Sequence, residues 1–146
     1  MPRFRFKLQK VLEYRQQRED QAKFAFAKAK ADHEAQTVVV SNLREALEEH
    51  EATLYSGEQL TEGDIWLWRQ YRKRLVQDLE RAEMKLMELA RLMNARRREL
   101  VERSKERKLL ERLRSQQEIA FRREANAREQ REYDEMATIR YARNVH

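Results

Sequence analysis

The sequence contains no cysteine, only two glycines and one proline, and aromatic residues make up 8% of its 146 positions. The absence of cysteine excludes disulfides, thiolate zinc sites and thiol catalysis, and it fits a reducing compartment. Both glycines, Gly57 and Gly63, lie in one short segment, so no glycine-rich phosphate-binding loop is available. With few aromatic side chains, we expect apolar surface to be buried along narrow helix stripes rather than in a broad core.

Long apolar runs are absent as well. None approaches the about 20 residues that a helix needs to cross a bilayer, and no apolar segment typical of a secretory signal follows the basic N-terminus. His33, His50 and His146 lack the spacing of a zinc-binding pair on one helix. Adjacent acids such as Glu48 and Glu49 have no predicted cleft that would exclude water. We therefore expect a cytoplasmic protein that binds no metal or other cofactor and is not an enzyme.

The residues that are present favour long helices. Charged residues and hydrophobic residues each make up 40% of the chain, and Ala, Glu, Lys, Leu and Arg dominate, as in coiled coils. From about residue 3 to residue 55, a seam with alternating spacings of three and four residues has nine apolar members among 14. The seam comprises Leu8, Leu12, Arg15, Glu19, Ala22, Phe26, Ala29, His33, Gln36, Val40, Leu43, Leu47, His50 and Leu54. The polar members are interpreted as register-setting positions, with a pH switch or a metal site at the histidines as alternatives.

The only segment with turn-forming composition is 56–64. Gly57 suits the residue just past a helix end, and Thr61 with Asp64 approximates a capping box for a second helix over about 62–143. The second seam is apolar at eight of its first nine positions, which are Ile65, Trp68, Arg72, Leu75, Leu79, Ala82, Leu86, Leu89 and Met93. We predict an all-α fold, a single antiparallel coiled-coil hairpin over 1–146 in which the second helix is the longer one.

The two predicted helices have unequal lengths. The first helix ends opposite about residue 115 of the second, so the rest of the second helix would extend about 45 Å beyond it at 1.5 Å per residue. We call this extension the overhang. The overhang carries Phe121, Tyr133, Met136, Ile139 and Tyr141 with no predicted partner. Charge is segregated too, because 31–64 holds nine acids and one base whereas 91–114 holds ten bases and four acids. These features indicate different protein partners at the two ends.

Both ends of the chain resemble one family. The opening Phe4-x-Phe6-x-Leu8, followed by Val11, Leu12, Arg15, Glu19 and Ala22, resembles the start of the flagellar export protein FliJ, and Asp134-Glu135-Met136-Ala137 with Arg140 resembles its C-terminal segment. The resemblance covers the whole chain in architecture and the two ends in motif. It implies a stalk-like coiled coil that inserts into a hexameric export ATPase, promotes its assembly and activity, and links it to the export gate and to export chaperones.

The resemblance also implies two sites. The ATPase-binding residues would be Phe4, Phe6, Leu8, Val11, Arg15, Asp134, Glu135, Met136 and Arg140. The residues that bind the cytoplasmic domain of the export gate would be Leu43, Leu47, His50, Tyr71 and Leu75. Family members can carry aromatic residues where this chain has Ala46 and His50. We expect a cytoplasmic monomer that reaches the inner membrane only through its partners.

Three alternatives remain open from the sequence. The injectisome stalk proteins of type III secretion have a similar shape. The basic residues of 91–114 suggest nucleic-acid binding, although acids interrupt them and no aromatic residue is available for base stacking, so no nucleic acid is expected. A purely structural coiled-coil oligomer is the third. Trp66, Trp68 and Tyr71 are either protein-contact anchors or a cover for the end of the hairpin.

Overall fold

A computed structural model describes residues 3–54 and 59–145 of the chain. They contain two α-helices and no strand: α1 spans Gln9–Thr53 with 45 residues, and α2 spans Glu62–Val145 with 84 residues. The prediction of an all-α antiparallel hairpin with a longer second helix is confirmed. The predicted turn residue Gly57 lies outside the described residues.

The chain divides into two compact units, and each contains part of both helices. The first unit comprises Met1–Glu19 and Glu102–His146, and the second comprises Asp20–Val101. In the first unit Phe6, Leu12 and Leu110 form a buried cluster, against which Phe4 and Leu113 pack. Leu12 is the most completely buried large side chain among the described residues. This cluster holds the N-terminal part of α1 on α2 by removing apolar surface from water.

Three of the buried seam residues in the second unit are alanines. Ala22, Ala29, Val40, Leu75 and Ala82 are buried, and the short side chains let the two helices approach closely. The approach is close enough for Gln36 Nε2 to donate a 2.9 Å hydrogen bond to the carbonyl oxygen of Ala82. Every residue of the first predicted seam from Leu12 to Leu54 is buried or half-buried, whereas Leu8 is exposed.

A buried ion pair crosses the seam in the first unit. Arg107 Nε donates to Glu19 Oε2 at 2.6 Å, and the second guanidinium nitrogen, Nη1, donates to Glu111 Oε2 at 2.7 Å. The hydrogen bond to Glu19 is the main reason that the pKa of Arg107 is raised above its usual value. Glu19, a polar position of the first predicted seam, therefore forms a charge pair with α2.

The predicted capping box forms at the start of α2. The backbone N–H of Thr61 donates to Asp64 Oδ2 at 3.0 Å, and the backbone N–H of Asp64 donates to Thr61 Oγ1 at 3.1 Å. These bonds satisfy backbone groups that a helix start otherwise leaves unpaired. The bond that the Thr61 backbone N–H donates to the carboxylate is the main reason that the pKa of Asp64 is lowered, and the Thr61 side chain contributes in the same direction.

The helix boundaries differ from the sequence prediction at the N-terminus. The helix α1 begins at Gln9 rather than near Arg3, and residues 3–6 are not helical. Phe4 and Phe6 both pack against α2. This segment pairs with α2 as far as Phe121, whose ring centroid is 5.7 Å from that of Phe4. Half-buried side chains therefore continue to Ala125, about ten residues beyond the expected start of the overhang.

Candidate partner-binding surfaces

The N-terminal aromatic residues are largely used inside the first unit. Phe6 is buried against Leu12 and Leu110, and Phe4 is half-buried against Phe121. The backbone N–H of Gln9 donates to the carbonyl of Phe6 at 3.1 Å, which closes the turn into α1. Phe4 and Phe6, which the resemblance assigns to ATPase binding, therefore mainly pack against α2. Of the two, only Phe4 remains partly accessible.

The residues just before α1 and in its first turns present a different set of side chains. Leu8 and Val11 are exposed, and so is Tyr14, which sequence reasoning missed although it lies three residues beyond Val11. Arg15 is half-buried and donates from Nη1 to the carbonyl oxygen of Glu106 at 2.9 Å, so its main contact is intramolecular. Arg18 lies over the ring of Tyr14 at 5.7 Å. The accessible part of this region thus consists of Leu8 and Val11, with the cation–π contact between Arg18 and Tyr14 beside them.

The last 20 described residues of α2 have no intramolecular cover. Every side chain from Asn126 to Val145 is exposed. Three apolar side chains, those of Tyr133, Met136 and Ile139, follow one another at intervals of three residues. Tyr141 and Val145 extend the apolar content to the helix end. Apolar residues at helical spacing on an uncovered helix are typical of segments that dock into a groove of a partner.

Polar groups accompany these apolar residues. Asp134 accepts a hydrogen bond from Gln130 Nε2 at 3.4 Å, and its backbone carbonyl accepts one from Thr138 Oγ1 at 2.8 Å. Glu135, Met136 and Arg140 are exposed. The structure does not bring this group together with Phe4 and Phe6. At 1.5 Å per residue, Asp134 lies about 20 Å along α2 beyond Phe121.

The second unit carries an aromatic cluster near the helix connection. The ring of His50 stacks on Trp68 at 4.9 Å and meets the edge of Tyr71 at 4.7 Å. Two hydrogen bonds are reciprocal: His50 Nε2 bonds the carbonyl of Trp68 at 2.8 Å, and Trp68 Nε1 bonds the carbonyl of His50 at 3.0 Å. A carbonyl oxygen only accepts, so Nε2 of His50 carries a hydrogen. The predicted seam histidine therefore joins the two helices directly.

Only part of the residues assigned to the export gate are accessible. Leu75 is buried, and Leu43 and Leu47 are half-buried in the seam, so they support the surface rather than form it. Tyr71 is exposed, and Trp66 and Leu67 beside it are also exposed. Leu67 and Tyr71 lie one helical turn apart, with the His50 ring against Tyr71. The accessible surface near the connection thus consists of side chains from the first turns of α2.

The basic stretch of 91–114 is partly neutralised along its own helix. Arg96 pairs with Glu99, Arg103 with Glu106, and Lys105 with Glu102, all at a spacing of three residues. No observation on the described residues favours nucleic-acid binding. In residues 3–54 and 59–145, no three His, Cys, Asp or Glu side chains are grouped so that they could hold a metal ion. Neither helix has, over those residues, an apolar stretch long enough to cross a membrane.

Comparison with known proteins gives one decisive match. The model of the family described as flagellar FliJ protein matches residues 4–146, which is nearly the whole chain. The chain belongs to the flagellar FliJ family. No curated protein and no solved structure matched it significantly. The family is a non-catalytic component of flagellar protein export, so membership gives this FliJ-family chain an export-related role.

The match extends the sequence resemblance beyond the two end motifs, because it includes both helices and their connection. In this FliJ-family chain, the position of Ala46 carries no ring and that of His50 carries an imidazole. The aromatic character of the region comes instead from α2, through Trp66, Trp68 and Tyr71. The cluster around His50, with the exposed ring of Tyr71, is therefore an aromatic feature of the second unit near the helix connection.

Proposed function

We propose that the chain is a stalk-like activator and adaptor of the flagellar export ATPase, which inserts into the hexamer and promotes its assembly and turnover. Membership of the FliJ family supports an export role, and the flagellar system is preferred over the injectisome on the same ground. The observation that carries the proposal is the uncovered end of α2. From Asn126 to Val145 it presents apolar side chains that nothing in the described residues covers.

The end of α2 is suited to insertion into a ring. It continues a helix that is fixed to α1 by the Phe6 cluster and by the pair between Glu19 and Arg107. A helix of about 20 residues is marginally stable alone in water, so burial against a partner would offset the cost of ordering it. Asp134, Glu135, Met136 and Arg140 would form the contact on this segment. Leu8, Val11 and the edge of Phe4 would contribute from the N-terminal side, while Phe6 and Arg15 would hold the surface in place.

The adaptor function is assigned to the second unit. Its exposed residues Trp66, Leu67 and Tyr71 would bind the cytoplasmic domain of the export gate, with His50 holding Tyr71 in position and Leu43, Leu47 and Leu75 packed behind. Large aromatic side chains are the usual energetic centres of protein interfaces. Export chaperones without cargo would be a further class of partner. The chain would act as a cytoplasmic monomer and reach the inner membrane only through the export apparatus.

Steady-state ATPase assays test the first part of the proposal. The test variant is Met136→Asp with Ile139→Asp, and the control is Met84→Asp with Met87→Asp. Both pairs lie on α2 at a spacing of three, and their exposures match: 57% and 63% for the test pair, 65% and 59% for the control pair. We expect the test variant to lose most of the stimulation of ATPase turnover and hexamer formation, and the control to retain it. Equal stimulation by both variants would contradict the assignment.

Binding to the isolated cytoplasmic domain of the export gate tests the second part. Leu67→Ala with Tyr71→Ala should weaken binding by at least about tenfold, because two central apolar side chains are removed. Leu109→Ala, at a similarly exposed leucine of α2, is the control. Isothermal titration calorimetry gives both affinities. If the two variants bind alike, the aromatic surface is not the gate-binding site.

A further inference from the structure

The outer face of α1 carries a second apolar stripe within the second unit. Phe24 is 77% exposed, and Val38 is exposed as well. Ala27, Ala31 and Ala35 lie between them, all exposed, so the five residues follow spacings of three and four. At 3.6 residues per turn they fall within about 80° of one another, on the side of α1 opposite the buried seam. Phe24 and Val38 would contribute most of the contact area, and the alanines would permit close helix approach.

The stripe has definite ends. At the corresponding positions of the next turns, the helix presents Asp20 on one side and Asn42 on the other, so the apolar face covers about two heptads only. Contiguous exposed apolar patches on a protein surface mark interaction sites. Its two-heptad length matches a helix of similar length as its occupant.

Charged residues beside the stripe indicate which helix binds to it. Lys28 and Asp32 lie on one flank, and Lys30 and Glu34 lie on the other, all exposed. None of the four has an ion pair or hydrogen bond with the described residues. Both pairs have the base four residues before the acid, which is the weaker order for pairing along one helix. Both bases precede Ala31 and both acids follow it.

We propose that this face binds a second copy of the chain, with the two α1 helices antiparallel about a two-fold axis at Ala31. An isologous contact brings Phe24 of each copy opposite Val38 of the other. It keeps each flank facing the same flank, so Lys28 meets Asp32 of the other copy and Lys30 meets Glu34. In both cases the two facing residues are about 3 Å apart along the helix axis. The charge pattern is thus complementary to itself in this orientation, with opposite charges facing on both flanks.

The contact is a weak one. Phe24 and Val38 are about 21 Å apart along the helix, and a helix pair of this length buries less surface than stable interfaces do. The dissociation constant should lie between about 10 µM and 1 mM. The full chain is therefore monomeric at low concentration and self-associates where it is concentrated. This inference does not rest on the proposed role at the ATPase.

Sedimentation equilibrium of the full chain up to about 1 mM measures the association. Phe24→Glu should weaken it at least tenfold, whereas Met84→Glu, at an exposed apolar residue on α2, should leave it unchanged. A chain that stays monomeric throughout, or two variants that associate alike, overturns the proposal. If Phe24→Glu instead lowers ATPase stimulation while the parent chain stays monomeric, the face binds another protein and self-association is wrong.

Charge exchange tests the orientation. An acidic variant, Lys28→Glu with Lys30→Glu, and a basic variant, Asp32→Lys with Glu34→Lys, should each lose self-association because both flanks then face like charge. Mixed together, they should associate at least as tightly as the parent chain, because all four facing pairs become opposite in sign. Failure of the mixture to associate overturns the proposed charge pairing.

The absence of native cysteine permits a test of register. Ala31→Cys places one thiol near the two-fold axis and should give a disulfide-linked dimer under mild oxidation. Ala35→Cys is the matched control, since its two copies would be about 12 Å apart along the axis, too far for a disulfide. A mixture of Ala27→Cys and Ala35→Cys should cross-link. Equal rates for the Ala31 and Ala35 variants overturn the register.

Discussion

The ion pair between Glu19 and Arg107 should contribute more to stability than any exposed pair of the chain. Glu19 is 4% exposed, and its carboxylate accepts a 2.6 Å bond from a guanidinium whose side chain is 21% exposed. Arg107→Leu keeps the helix propensity almost unchanged but removes the partner of Glu19 across the seam. The buried carboxylate then loses the 2.6 Å charge-assisted hydrogen bond from Arg107.

Breaking a buried pair from one side typically costs about 3–5 kcal/mol. We expect about 3 kcal/mol, the lower end, because Arg107 is partly solvated and Glu19 makes a further interaction. For a chain of this size, that loss lowers the melting temperature by about 6–12 °C. The double variant Glu19→Leu with Arg107→Leu should recover most of the loss, since replacing a buried pair by apolar side chains is often neutral or stabilising.

Thermal unfolding followed by circular dichroism measures the melting temperatures, and hydrogen exchange over residues 9–19 and 102–113 shows whether the loss is local. Arg128→Leu is the matched control. Arg128 pairs with Glu124 on the same helix at 3.2 Å, but both side chains are largely exposed, so its loss should cost less than about 1 kcal/mol. If Arg107→Leu and Arg128→Leu lower the melting temperature equally, the buried pair contributes no more to stability than the exposed pair. If the double variant is no better than Arg107→Leu, the explanation by an uncompensated charge is wrong.

Two further outcomes follow from local contacts. The hydrogen bonds from Thr61 lower the pKa of Asp64 below its usual 3.8, so the stabilising effect of the ionised carboxylate is present above that value and is lost as the pH falls through the lower folded-state pKa. Thr61→Val should raise the pKa of Asp64 in an NMR titration, but only part of the way because the backbone bond remains. An unchanged pKa would exclude the bond from the Thr61 side chain. Trp68→Phe keeps an aromatic ring against His50 but removes the indole donor to the His50 carbonyl and Thr53 Oγ1. It should cost about 1 kcal/mol and accelerate amide exchange in the last turn of α1, whereas Trp66→Phe, at an exposed ring, should do neither.

The sequence predicts the parts of the fold that depend on periodicity and capping. The seam of α1 from Leu12 to Leu54 is confirmed because a long, unbroken repeat leaves one helix face to be buried. The capping box between Thr61 and Asp64 is confirmed because its bonds are local and need only the residue types at the right spacing.

The sequence does not predict the features that depend on which residues meet across the helices. Phe4 and Phe6 break the helical period, and only their packing against Leu110 and Phe121 explains why the chain there is not helical. On α2 beyond Leu110, Leu113 and Glu118 are half-buried while Arg114 and Gln117 are exposed, so the buried side chains there do not continue the alternating spacing of three and four residues. Similarly, exposure separates the assigned site residues into those a partner could reach, such as Tyr71 and Met136, and those that only support them, such as Leu75.

The polar seam residues of the second unit should specify register at some cost in stability. Gln36 bonds the Ala82 carbonyl and His50 bonds the Trp68 carbonyl, and each bond exists in one alignment of α1 on α2. An apolar residue at either position would tolerate neighbouring alignments, as buried polar residues in coiled coils show.

The variant Gln36→Leu with His50→Leu should therefore keep or raise the melting temperature but allow more than one alignment of α1 on α2. Spin labels at the exposed residues Val39 and Met84 measure this by pulsed electron paramagnetic resonance. We expect one narrow distance distribution for the parent chain and a broader or second one for the variant. Two equally narrow distributions would refute a register-setting role, and the buried polar groups would then be explained by local hydrogen bonding alone.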